Sequence, residues 1–92
     1  MMAVRAHLVI RGRVQGVWYR GSMENEAERL GVAGWVRNRP DGSVEVAAEG
    51  ADASIHALQA ALKQGPDGAR VSAVDELPLE SQPLERPFTI LR

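Results

Sequence analysis

The chain reads as an α+β protein: a ferredoxin-like split-βαβ sandwich, with two helices packed on one face of an antiparallel sheet of four to five strands. Three observations predict it. Period-two and helical hydrophobic patterns follow in the order strand, helix, strand, strand, helix, strand, with a short strand to close. Glycine and proline mark the joins between them. Ninety-two residues at 45% hydrophobic content can build a two-layer core, but not a larger one. A single domain over 1–92 is expected.

Val4, Ala6, Leu8 and Ile10 share one face of the first strand, opposite Arg5, His7, Val9 and Arg11. Residues 12–17, with two glycines, break the alternation and predict a loop. Tyr19, Met23, Ala27 and Leu30 then recur at helical spacing, and Gly31 stands where a C-terminal cap belongs. Ser22 is a good N-cap residue, so the pattern starts this helix there or up to two residues earlier.

Alternation returns over 32–38, with Val32, Gly34 and Val36 opposite Ala33, Trp35 and Arg37. Arg39-Pro40-Asp41-Gly42 predicts a hairpin turn, since Pro presets φ and Gly accepts positive φ. The partner strand, 43–49, turns Val44, Val46 and Ala48 inward and Glu45 and Glu49 outward. Asp52 is placed to cap a second helix whose stripe is Ala51, Ile55, Leu58 and Leu62, and Gly65-Pro66 ends it. Residues 71–77 form another strand. A loop with three prolines occupies 78–87, and 88–91 closes as a short strand. Trp35 falls on the sheet's other face, where it covers the open side or marks a contact with another molecule.

Composition removes several function classes. There is no cysteine, hence no disulfide, thiolate metal site or cysteine nucleophile. His7 and His56 lack ligand spacing, so no metal is expected. No apolar run approaches the ~18 residues of a membrane span, and the N-terminus lacks a signal-peptide layout. A cytoplasmic protein is expected, with no membrane partner.

Charge is divided along the chain. Residues 1–39 hold seven Arg and three Glu, a balance of +4, whereas 40–92 hold four cations and nine acids, a balance of −5. That asymmetry suits a small anion gathered by the first half. It does not suit a nucleic-acid backbone, and with aromatics at 4% the sheet has few rings for base stacking.

Chemistry concentrates in Gly12-Arg13-Val14-Gln15-Gly16-Val17-Trp18-Tyr19-Arg20, which joins the first strand to the first helix. Amides at a helix N-terminus have no intrahelical acceptor and carry partial positive charge. A glycine-bearing loop can turn its own amides to the same point and cradle a tetrahedral anion. Arg20 adds a planar fork of donors that fits phosphate. The plain alternative is an ordinary strand-to-helix turn with a surface Arg.

Asn38 is the second candidate. In a split-βαβ fold the second strand runs back toward the first loop, so its end comes near Arg20. An Asn side chain can accept from a water and donate to a phosphate, although turn stabilisation explains it equally well. Glu24 and Glu28 share a helix face but read as solvated, and the C-terminal acids from Asp75 to Glu85 lack any calcium-loop spacing.

The segment from Gly12 to Arg20 resembles the first signature of the acylphosphatases. Gly34-Trp35-Val36-Arg37-Asn38, followed by Gly42, Val44 and Gly50, resembles the second. Both stand in the right order, and the resemblance extends through Gly65-Pro66 to Phe88-x-Ile90. It implies hydrolysis of a small acyl phosphate to a carboxylate and inorganic phosphate, with no metal or cofactor. It implies that the amides of Gln15, Gly16, Val17, Trp18 and Tyr19 and the Arg20 side chain hold the phosphoryl group, and that Asn38 orients the attacking water.

Domains of this type also occur inside larger carbamoyl-transfer proteins, which a one-domain chain is not expected to be. A monomer is expected. Two residues depart from the family pattern: Tyr19 stands where Phe is common, a mild change, and Met23 stands where a Thr is usual, and it also heads the apolar stripe. The competing reading is a non-catalytic phospho-ligand binding module of the same fold.

Overall fold

The computed structural model describes residues 3–79 and 83–91. Its elements run β1 (Val4–Arg13), α1 (Tyr19–Leu30), β2 (Ala33–Asn38), β3 (Val44–Gly50), α2 (Asp52–Gln64), β4 (Arg70–Glu76) and β5 (Thr89–Leu91). The strands form one sheet in the order β4-β1-β3-β2-β5. This is the split-βαβ arrangement, with a fifth strand added at one edge. The middle of the expected proline loop, 80–82, lies outside the described residues.

The alternating strands place their apolar faces toward the two helices. Tyr19, Met23 and Ala27 of α1 and Ile55, Leu58 and Leu62 of α2 are buried in one cluster with Leu8, Ile10, Val36, Val44, Val46, Ala48 and Phe88. Each large side chain taken from water in this way contributes about 1.5–3 kcal/mol. Met23 is only 2% exposed, so the residue at the family's Thr position belongs to the core.

The pleat sends the alternate residues to the opposite face, where a polar cluster lies over the sheet. The His7 Nε2–H donates to Glu45 Oε2 at 2.6 Å, and Arg37 Nε–H donates to Glu45 Oε1 at 2.8 Å. Trp35 lies edge-on to His7, with centroids 5.9 Å apart, and the Arg37 guanidinium sits 5.3 Å from the Trp35 ring centre. Trp35 therefore covers the open side. Burial alone would raise the Glu45 carboxyl, yet the hydrogen bonds from His7 and Arg37 outweigh it and hold the group below its ordinary pKa.

Several expected details change. The sheet is mixed, because β5 pairs with β2 in parallel register while the other pairs are antiparallel. The chain crosses from β4 at one edge to the far edge before β5 begins, and the strand it meets there runs the same way. β1 continues through Gly12 and Arg13, which the sequence places in the loop. β4 supplies partners for both beyond a register shift at Arg11/Gly12. Gly12 has φ 126, and a Cβ there would lie 2.0 Å from the Arg70 carbonyl oxygen, so the bulge requires glycine.

α1 begins at Tyr19, before the Ser22 start and its two-residue margin, because Trp18 itself adopts the left-handed conformation that turns the loop into the helix. Asp52 is not the cap of α2: Ala51 takes that position and Asp52 is the first helical residue. Glu45 faces outward as expected but is buried beneath its partners.

Candidate active site

The loop 14–18 is fixed at several points before it reaches α1. Val14 is buried in the core, and Val17 is packed against it. The Gln15 side chain reaches across to the β2–β3 hairpin, where its Nε2–H groups donate to the carbonyls of Arg39 at 2.8 Å and Ser43 at 2.9 Å. Gly16 has φ 76 with open space where a Cβ would stand, so its requirement is conformational. Tyr19 is buried, and its hydroxyl donates to the Leu62 carbonyl at 2.6 Å. Burial pushes the Tyr19 phenol above its ordinary pKa, keeping it a neutral donor. That bond also satisfies a carbonyl in the last turn of α2, which has no intrahelical partner.

The N-terminus of α1 carries no side-chain cap and no acidic residue in its first turn. Its first intrahelical bond runs from the Ser22 amide to the Trp18 carbonyl at 3.0 Å. The amides of Tyr19, Arg20 and Gly21 precede that bond, so the partial positive charge of the helix end is left uncompensated. The Arg20 side chain makes no ion pair with any described carboxylate, Glu24 one turn along included. A half-buried guanidinium and a bare helix N-terminus thus form one electropositive spot.

β2 brings Asn38 to the same place. Its residues pair antiparallel with β3, ending at Asn38 opposite Val44. The turn beyond is held without it: the Arg39 amide donates to the Ser43 carbonyl, the Gly42 amide to the Arg39 carbonyl, and the Asp41 carboxylate accepts from the Ser43 amide. Asn38 Oδ1 is buried and receives no hydrogen bond. A buried acceptor without a donor costs about 1–3 kcal/mol.

A cleft of about 230 Å³ unites these groups, lined by Val14, Gly16, Trp18, Tyr19, Arg20, Gly21, Asn38 and Ile90. Of the site residues expected from sequence, Gly16, Trp18, Tyr19, Arg20 and Asn38 line it, whereas Gln15 and Val17 do not. Gln15 instead clamps the loop to the hairpin that carries Asn38. Sequence reasoning missed that clamp, and it missed Val14 and Ile90 as apolar walls. The Phe88-x-Ile90 ending was the available signal for Ile90. A wider groove of about 380 Å³, beside Arg5, Gln59 and Leu79, contains no helix N-terminus. Among the described residues no group of three or more His, Asp or Glu side chains is placed to hold a metal ion. No helix among them is long and apolar enough to cross a membrane.

The acylphosphatase family model matches residues 6–90. An acylphosphatase of Thiobacillus denitrificans is 64% identical over 69 residues, 75% of this chain and 78% of that one. One from Marinobacter nauticus is 46% identical over 88 residues, 96% of this chain and 92% of its own. The crystal structure of an acylphosphatase from Bacillus subtilis aligns with a TM-score of 0.84 at 33% identity, covering 99% of this chain and all of the other.

Proposed function

The chain belongs to the acylphosphatase family, enzymes of acyl phosphate hydrolysis, and we propose that the cleft between the 14–18 loop and Asn38 is the active site. The substrate's phosphoryl oxygens lie among the loop amides, those of Gly16, Trp18 and Tyr19 in the cleft wall and those of Gln15 and Val17 next to them in the chain, and accept from the Arg20 fork. Asn38 Oδ1 accepts a hydrogen bond from a water and holds it on the side of phosphorus away from the acyl oxygen. Attack forms the new P–O bond as the P–O bond to the acyl group breaks. The acyl group leaves as a carboxylate, and the attacking water passes a proton to a phosphoryl oxygen or to solvent as inorganic phosphate is released.

A carboxylate is a weak base and departs readily, so placement and charge neutralisation can supply the catalysis. One observation carries the reading. Arg20, unpaired among the described residues, and the orphaned Asn38 acceptor share a cleft with the bare N-terminus of α1. An anion and a water would satisfy all three. We take the enzyme to act as a monomer in the cytoplasm.

The test is steady-state hydrolysis of benzoyl phosphate with EDTA present. Wild-type turnover should survive the chelator. Arg20→Ala should lose phosphate binding and turnover together, with kcat/KM down about 10³-fold or more. Asn38→Ala should bind inorganic phosphate normally while kcat falls about 10²-fold to 10³-fold. Full kcat in Asn38→Ala would remove the water-positioning role.

A further inference from the structure

Hydrolysis at the cleft engages the amide of Trp18 and gives its indole no task. That side chain is 65% exposed, and it lines the cleft together with Arg20 and Asn38. A single exposed hydrophobe is ordinary on a protein surface. This one is seated. Trp18 has φ 60 and ψ 25, a left-handed conformation that a bulky side chain seldom adopts. Gly21 lies in the first turn of α1, where glycine weakens a helix. A Cβ on Gly21 would come within 2.1 Å of the indole Nε1 and 2.6 Å of Cε2. The ring therefore rests directly against the helix at Gly21, in space any other residue would fill.

Two unfavourable local choices thus converge on one ring held at the mouth of the phosphate cleft. The ring's free surface borders the cleft, beside which the acyl part of a substrate held there by its phosphoryl group would extend. The cleft's other named contacts, amides, Arg20 and Asn38, address the phosphoryl group and the water. The indole, Val14, Tyr19 and Ile90 offer the apolar surface; Val14 and Tyr19 are buried, and the indole is the most exposed of the four.

We propose that the Trp18 indole is the platform for the acyl group, which gives the enzyme a preference for acyl phosphates with a planar or extended apolar acyl group over acetyl phosphate. The proposal rests on the cleft being the acyl phosphate site. Stacking or edge contact on an aromatic ring of this kind corresponds to roughly threefold to tenfold in affinity. The contact is remote from phosphorus and is made equally before and during reaction, so it appears mainly in KM.

The experiment measures kcat/KM for benzoyl and acetyl phosphate in the wild type, Trp18→Phe and Trp18→Asn. Asn tolerates the left-handed conformation and removes the ring. The readout is the benzoyl-to-acetyl ratio, which cancels any change in the loop's grip on phosphate and any difference in intrinsic reactivity. Trp18→Asn should lower the ratio threefold to tenfold, mostly through KM for benzoyl phosphate, and Trp18→Phe should retain most of it. A binding arm uses phenacylphosphonate and acetonylphosphonate, the methylene analogues of the two substrates, as inhibitors. Trp18→Asn should narrow the gap between their inhibition constants by the same factor. An unchanged ratio with both substrates turned over would overturn the platform and leave the hydrolase reading standing. A wild type that hydrolyses neither substrate would remove that reading, and the platform with it.

Discussion

The two helices sit in equivalent places of the split-βαβ frame, yet their N-termini are built for different ends. α2 starts from Ala51 in extended conformation and carries Asp52 in its first turn, so a fixed carboxylate offsets the helix dipole. α1 starts from Trp18 in the left-handed conformation, has no acid in its first turn, and follows a loop with Gly16 at φ 76. Neither has a side-chain cap. If α1 is the phosphate site, as proposed, a helix end alone does not make one. What distinguishes α1 is the missing acid, the glycine-bearing loop that precedes it, and Arg20, which pairs with no described carboxylate.

The two helix ends can be made alike from either side. The largest effect is the loss on Arg20→Ala, which leaves α1 with a bare helix end much like any other. Next is the transfer of α2's device to α1. Ser22→Asp places a carboxylate in the first turn and should weaken inorganic phosphate binding about tenfold at low salt, less at high salt. Titration calorimetry at two ionic strengths reads both.

Gln15→Ala removes the two hydrogen bonds that tie the loop to the hairpin. It should lower unfolding stability by about 1–2 kcal/mol, seen in denaturant melts. It should also depress kcat more than phosphate affinity, because the register between loop and Asn38 loosens. Tyr19→Phe deletes the bond to the Leu62 carbonyl and should cost about 1 kcal/mol, read as a lower Tm. The smallest effect is on the other helix. Asp52→Ala should lose about 0.3–1 kcal/mol of stability without creating a second phosphate site, so the binding stoichiometry stays at one. A second site there would show that the missing acid alone suffices.

Much of this was legible in the chain. Alternation and helical spacing placed the seven elements in order because burial of one face imposes a period on each. The Gly12–Arg20 stretch, with Asn38 at the end of β2, stood out because those residue types do what phosphate needs. Boundaries were less legible. Ser22 has the chemistry of an N-cap, but the start of α1 was decided by the conformation of Trp18, which no propensity suggests for tryptophan. The extension of β1 through Gly12 depended on β4, a partner some sixty residues away.

By itself the sequence determined the alternation of elements, the apolar stripes, the absence of thiol chemistry and the residues able to hold an anion. All of these follow from local side-chain properties. Only the tertiary structure decided that β5 lies parallel to β2, that Gln15 spans to the hairpin, that Asn38 Oδ1 is left without a donor and that the Trp18 indole rests on Gly21. Each of those depends on which distant segments the buried core brings together. Hydrogen bonds and close contacts at 3 Å cannot be read from a periodicity that records only which face is dry.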